Sequence, residues 1–222
     1  FLNKIEKGES FKEIDNFAYV QNGVVVRNKL KSLIENLDLL PHPDKEIYPY
    51  KKTIMDLGYA PFFFARGCPY MCTYCSNHAL AGLYGRKRNY PRFRSPETCI
   101  QEIEEVMGKY GKLIEFVWIM DDIFGLNNKW REEFCGKYKS RIKKKFMILI
   151  RVEMATDSLF DMLKDAGCFK VFFGVESGNE KVRGEIMGRR MPNDEIINAF
   201  DLCRQRGLET LAANIIGTPG ES

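Results

Sequence analysis

Cys68-Pro-Tyr-Met-Cys72-Thr-Tyr-Cys75 places three thiols in the spacing C-x3-C-x2-C, directly after the apolar run Ala60-Pro-Phe-Phe-Phe-Ala65. Three thiolates on one tight loop can hold three corners of a cubane iron–sulfur cluster. The fourth iron is then open to a non-protein ligand, which makes it a seat for chemistry. A structural zinc site asks for four protein ligands, often as two C-x2-C pairs. Here there is one triplet, and His78 is the nearby candidate for a fourth ligand. The two-cluster ferredoxin run needs a further cysteine followed by proline, and that pattern is absent. Ordinary packing gives no reason to set three thiols so close together on a loop. Cys99, Cys135, Cys168 and Cys203 lie singly in helical or strand-like segments and read as small buried apolar residues. An odd total of seven in this arrangement is no disulfide framework and points to a reducing, cytoplasmic setting.

Such a loop needs rigid elements to hold it. From Ala60 onward strands and helices alternate, with strands predicted over 61–65, 116–120, 146–150, 170–174 and 210–216. Ser95 and Pro96 suit the cap and first position of a helix that carries Ile100, Ile103 and Met107 on one face. A polar helix is predicted over 128–143. Thr156 caps the next, with Leu159, Met162, Leu163 and Ala166 in register and Gly167 closing it. The last, over 193–206, buries Ile196, Ala199, Phe200 and Cys203. Alternation of this kind implies an α/β fold: a parallel sheet with right-handed crossovers, built as an open or closed barrel. Functional residues of such barrels gather at the C-terminal ends of the strands. Those ends carry the cysteine loop, Asp121-Asp122, Arg151 with Glu153, Gly174-Val-Glu176-Ser177-Gly178, and Gly217-Thr-Pro-Gly-Glu221. Any one of these groups alone reads better as a helix N-cap or a solvated loop acid. Five polar strand ends beside a thiolate loop outline one mouth.

Cys68, Cys72 and Cys75, with Tyr74 as the aromatic, match the pattern C-x3-C-x-Φ-C and resemble the radical S-adenosylmethionine (radical SAM) enzymes from about Ala60 to the last residue. Asp121-Asp122-Ile-Phe124, Gly174-Val-Glu-Ser-Gly178 and Asn214-Ile-Ile-Gly-Thr-Pro-Gly-Glu221 resemble the motifs after strands two, four and five in one large branch of that family. The resemblance implies a partial (β/α)6 TIM-like barrel with strands one to five present, and a [4Fe–4S] cluster on the three cysteines. It implies SAM chelated to the open iron and cleaved by one electron to methionine and a 5′-deoxyadenosyl radical, which takes hydrogen from an organic substrate. In that scheme Asp121 or Asp122 accepts from the SAM ammonium and Glu176 from the ribose. Arg151 makes a forked contact with the carboxylate. Adenine lies near Tyr74 and the run Asn214–Gly217, and Ser177 completes the set. The substrate is a small molecule or peptide, and the electron donor a flavodoxin or ferredoxin. A methylthiotransferase-like enzyme, or an iron–sulfur electron-transfer or binding module without SAM chemistry, are the alternatives.

Residues 1–50 differ in texture. Phe17–Val20 and Val24–Val26 flank Asn22-Gly23, a hairpin signal. Pro41, Pro43 and Pro49 then favour an extended connector. Asn16-Phe-Ala-Tyr19 and Leu37-Asp-Leu-Leu-Pro-His-Pro43 look like the linker after the cobalamin-binding domain of B12-type radical SAM proteins. That implies cobalamin held outside this chain, with methyl transfer and radical cyclisation both compatible. The expected domains are a linker with hairpin over 1–50 and a core over 51–222, cut before a sixth strand. No apolar run approaches the roughly 20 residues of a membrane span. The mild net charge of +4 concentrates in Gly85–Arg94 and Arg141–Lys145, read as solvated loop and helix terminus rather than a nucleic-acid face.

Overall fold

A computed structural model of the chain describes residues 1–85, 90–125 and 127–221. They form two compact units, Phe1–Glu35 and Asn36–Ser222. The first holds helix α1 (Leu2–Glu6) and the antiparallel strands β1 (Ala18–Gln21) and β2 (Val24–Arg27). Gln21 pairs with Val24, which leaves Asn22-Gly23 as the turn; both residues have positive φ, 51° and 77°. That is the backbone a type I′ turn demands and the reason Asn-Gly makes it readily. The rings of Phe1, Phe11 and Phe17 pack against one another beside it.

In the second unit, a 3-10 turn (Leu37–Leu39) and α2 (Tyr50–Leu57) precede β3 (Tyr59–Phe62). Residues 36–50, which composition assigns to the linker, fall within this unit, where Leu37 and Tyr50 are buried. There follow β4 (Ala65–Arg66), α3 (Ser76–Leu83), β5 (Arg92–Phe93), α4 (Pro96–Tyr110), β6 (Phe116–Ile119) and α5 (Asn128–Arg141). Then come β7 (Phe146–Ile150), α6 (Asp157–Asp165), β8 (Cys168–Glu176), α7 (Asn193–Gln205) and β9 (Glu209–Asn214).

The main sheet is parallel throughout, in the order β3-β6-β7-β8-β9, and open, with β3 and β9 as its edges. Alternation sorts its side chains. Ala60, Phe62, Val117, Ile119, Phe146, Ile148, Val171 and Phe173 are inaccessible and join Ile100, Phe134, Phe160 and Ala199 of the helices in one core. The opposite face is aromatic: Tyr59 meets Phe116 and Trp118 at ring separations of 5.2 and 5.1 Å, and Trp118 meets Phe172 at 6.4 Å. Ser95 and Thr156 cap α4 and α6 through their hydroxyls, as their positions foretell.

Several boundaries differ from the sequence reading. The first parallel strand stops at Phe62, and Ala65-Arg66 pairs instead with Arg92-Phe93 in a small antiparallel ladder. The fourth runs on to Glu176 through a register shift, and the fifth ends at Asn214. Arg94, counted in a solvated basic loop, is buried and donates to the Pro41 carbonyl at 2.8 Å; Arg86–Asn89 of that run lie outside the described residues. Arg141 pairs with Glu97 and Glu104 at 2.8 and 2.5 Å. The isolated cysteines are buried and free. Among the described residues no helix is long and apolar enough to cross a membrane.

Candidate active site

The cysteine loop joins β4 to α3. Gly67 begins it with φ 85°, and a Cβ there would strike the Tyr90 ring at 2.7 Å, so the turn is open only to glycine. Cys75 stands at the N-cap of α3, and its N–H donates to the Cys72 carbonyl at 3.2 Å. Thr73 fastens the loop from outside: its N–H and hydroxyl donate to the carbonyls of Met187 and Ile186 at 3.1 and 2.7 Å. The segment between β8 and α7 therefore forms one wall of the loop's seat.

Cys68, Cys72 and Cys75 line one cavity of about 200 Å³ with Tyr74, Asn77, Asp122, Arg151, Gly174, Glu176 and Arg189. It opens at the C-terminal ends of β7, β8 and β9, where Leu149, Phe172 and Ala213 supply its apolar floor. Cys72 is the most buried of the three thiols, and two guanidiniums reach its sulfur, Arg151 Nη1 at 3.4 Å and Arg189 Nη1 at 3.6 Å. Burial pushes the Cys68 thiol up to about 11, with the Asp122 carboxylate adding to the rise and the Tyr70 backbone N–H and Arg151 opposing it.

Glu176 has φ 71°, a strained backbone for a residue with a side chain. Its carboxylate folds back over Gly174 so closely that a Cβ there would sit 2.4 Å from Oε1. It also faces Tyr74: burial, opposed by Arg189 and reinforced by Glu176, raises the Tyr74 phenol above its ordinary range.

The cavity thus gathers Tyr74, Asp122, Arg151 and Glu176 from the residues singled out in the sequence; Asp121, Ser177, Asn214 and Gly217 do not line it. Asp121 is buried, and its Oδ1 accepts from the N–H groups of Phe64 and Ala65 at 2.7 and 2.8 Å. It turns the chain out of β3 and into β4. Ser177 donates to Glu221 and accepts from Asn179 N–H at 3.1 Å, closing the turn after β8. Arg151 spends its fork on Glu153, with Nε 3.1 Å from Oε1, and stacks at 3.9 Å over the Tyr70 ring.

Arg189 was missed in the sequence because it lies well past the end of β8, inside an Arg-Arg pair that reads as a solvated turn. The fully buried Arg183 brings it back. Arg183 donates to the carbonyls of Ser177 and Met191 at 2.6 and 3.0 Å, and its own carbonyl accepts from Arg189 N–H at 2.8 Å.

The donor set suits a multi-iron cluster. Three thiols line one cavity, and a cubane offers a separate iron to each thiolate. Two cations against Cys72 suit the negative charge that ligating thiolates and a reduced cluster carry.

Residues 62–222 match the family model described as the Radical SAM superfamily. Among curated proteins, the chain is 29% identical over 224 residues to an uncharacterized methyltransferase of Pyrococcus horikoshii, aligning 100% of this chain with 47% of that protein. It is 26% identical over 219 residues to the anaerobic magnesium-protoporphyrin IX monomethyl ester cyclase of Rubrivivax gelatinosus, covering 94% of this chain and 37% of the other. The chain therefore spans about half or less of the length of these relatives. Among solved structures, that of OxsB, a cobalamin-dependent S-adenosylmethionine radical enzyme with aqua-cobalamin and S-adenosylmethionine bound, shares the fold with a TM-score of 0.77 at 22% identity, over 97% of this chain and 31% of OxsB.

Proposed function

The chain belongs to the radical SAM superfamily, enzymes whose core works with a [4Fe–4S] cluster and SAM, and from that premise we propose that Cys68, Cys72 and Cys75 hold the cluster while the adjoining cavity seats SAM. One observation carries this reading: three thiols, two carboxylates, a phenol and two guanidiniums share a single cavity at the ends of parallel strands. When bound, cluster and SAM together supply one-electron radical chemistry. The chain's own groups bind and orient. Asp122, exposed at the cavity wall, is the acceptor for the SAM ammonium, and Glu176, held in place over Gly174, is the acceptor for the ribose hydroxyls. Tyr74 packs beside the adenosyl group. Asp121 acts one step back, by fixing the backbone from which the cysteine loop springs. Arg151, committed to Glu153, serves the thiolate side of the cavity rather than the SAM carboxylate.

Methyl transfer to an organic substrate, with cobalamin bound by a domain outside this chain and electrons from a flavodoxin- or ferredoxin-like donor, is the reaction we favour. A relative aligned over the whole chain is named an uncharacterized methyltransferase. Radical cyclisation is the second reading, supported by the cyclase relative. The full-length protein, reconstituted anaerobically with iron and sulfide and given dithionite, SAM and hydroxocobalamin, should release 5′-deoxyadenosine or S-adenosylhomocysteine, and Cys72→Ala should release neither. A wild-type protein that loads a cluster yet leaves SAM intact would favour an electron-transfer module.

A further inference from the structure

The two guanidiniums on Cys72 are not equivalent. Arg151 gives Nε and Nη2 to Glu153, so its charge is balanced within its own turn, and only Nη1 is left for the sulfur. Arg189 is 6% exposed, and its other contacts are neutral: the Gly174 carbonyl and the Met191 sulfur, the latter at 3.7 Å. Its buried Nε has no hydrogen-bond partner; Glu176 shares its cavity without bonding it, Glu176 Oε1 and Arg189 Nη2 lying 2.4 and 3.5 Å from the point a Gly174 Cβ would occupy. A buried cation with no directly bonded counter-ion costs several kcal/mol. Here it is held in place by a second fully buried arginine, Arg183, which ties the surrounding turn at Ser177, Met191 and Asn193. A cation kept under that penalty, with its Nη1 on a thiol that lines the cavity, is arranged to meet an anion there.

Resting on the assignment of the cluster to the three cysteines, we propose that Arg189 is a positioning residue that acts through Cys72 to raise the reduction potential of the cluster, with Arg151 contributing less because Glu153 offsets it. Reduction adds one negative charge to the cluster. A cation and an N–H donor on a ligand sulfur stabilise the reduced form more than the oxidised one. Charge at Cys72 therefore eases the first electron in.

The test is an EPR-monitored redox titration of the anaerobically reconstituted full-length protein without SAM. Arg189→Gln lowers the potential by at least 59 mV, a tenfold change in the one-electron equilibrium, and lowers it more than Arg151→Gln does. Arg189→Lys recovers most of the loss, and Glu153→Gln raises the potential by unbalancing Arg151. Equal potentials in wild type and Arg189→Gln, both carrying full iron, overturn the proposal and leave the cluster assignment standing. A wild-type protein that takes up no iron overturns the assignment itself. If Arg189→Gln loads no cluster, Glu153→Gln decides: a rise supports charge control at Cys72, and an unchanged potential overturns it.

Discussion

Gly174 lies where any side chain would strike the carboxylate of Glu176, with a Cβ only 2.4 Å from Oε1. The obstructed atom is the far end of a flexible side chain, so Gly174→Ala is expected to cost about 1 kcal/mol of stability or less, at the low end for overpacking. The cost falls on function instead, because the carboxylate must swing away from the cavity. We expect SAM affinity to drop about tenfold, the equivalent of about 1.4 kcal/mol, with iron uptake unchanged; equilibrium binding to the reconstituted protein reads both. Glu176→Gly separates the backbone from the carboxylate. It relieves the positive φ of 71°, so stability should hold or rise by about 1 kcal/mol, while SAM binding weakens. Undiminished SAM affinity in both variants would remove Glu176 from the cofactor's contacts.

The connection from β8 to α7 brings Arg189 into the cavity and fastens the cysteine loop at Thr73. It contains a π-helical turn, Val182–Ile186, and rests on Arg183, whose guanidinium satisfies two buried carbonyls. Arg183→Met leaves both carbonyls unpaired, at about 1–3 kcal/mol each. Hydrogen exchange should then rise first across residues 182–191 while α4 and α5 remain protected; uniform loss of protection would mean that the connection is not a separate unit. This element was the least legible in the sequence. The strands announced themselves: Phe146–Ile150 is an apolar run between lysines and an arginine, and the structure keeps those limits. Arg183 and Arg189 carry no such pattern, because a buried arginine and a solvated one look alike without their partners. Asp121 and Asp122 were separable in principle. Val117 and Ile119 are buried against the helices, and Asp121 continues their parity, whereas Asp122 falls on the other side of the alternation. Gly174 reads as the end of a strand, whereas the strand continues to Glu176.

At the scale of the whole molecule, the fold stores a titrating group in its core. The Asp121 carboxyl is pushed up to about 7 by burial, against the pull of the two N–H groups it accepts from and of Arg66, while its Oδ2 has no partner. Its ordinary value is 3.8. Between those two values the folded chain keeps a proton that the unfolded chain has released. The folded form binds more protons there, so stability falls as pH rises from about 4 to about 7 and is level above that, with a slope approaching about 1.4 kcal/mol per pH unit in mid-window. Asp121→Asn keeps an acceptor for Phe64 and Ala65 but cannot ionise, so it lacks this slope. Apparent Tm values of the two proteins from pH 5 to pH 8 should converge or cross as wild type loses ground up to pH 7, and then run parallel. A constant difference across that range would show that Asp121 is ionised throughout, which would require a partner for Oδ2 from the residues around Cys99 and the start of the cysteine loop.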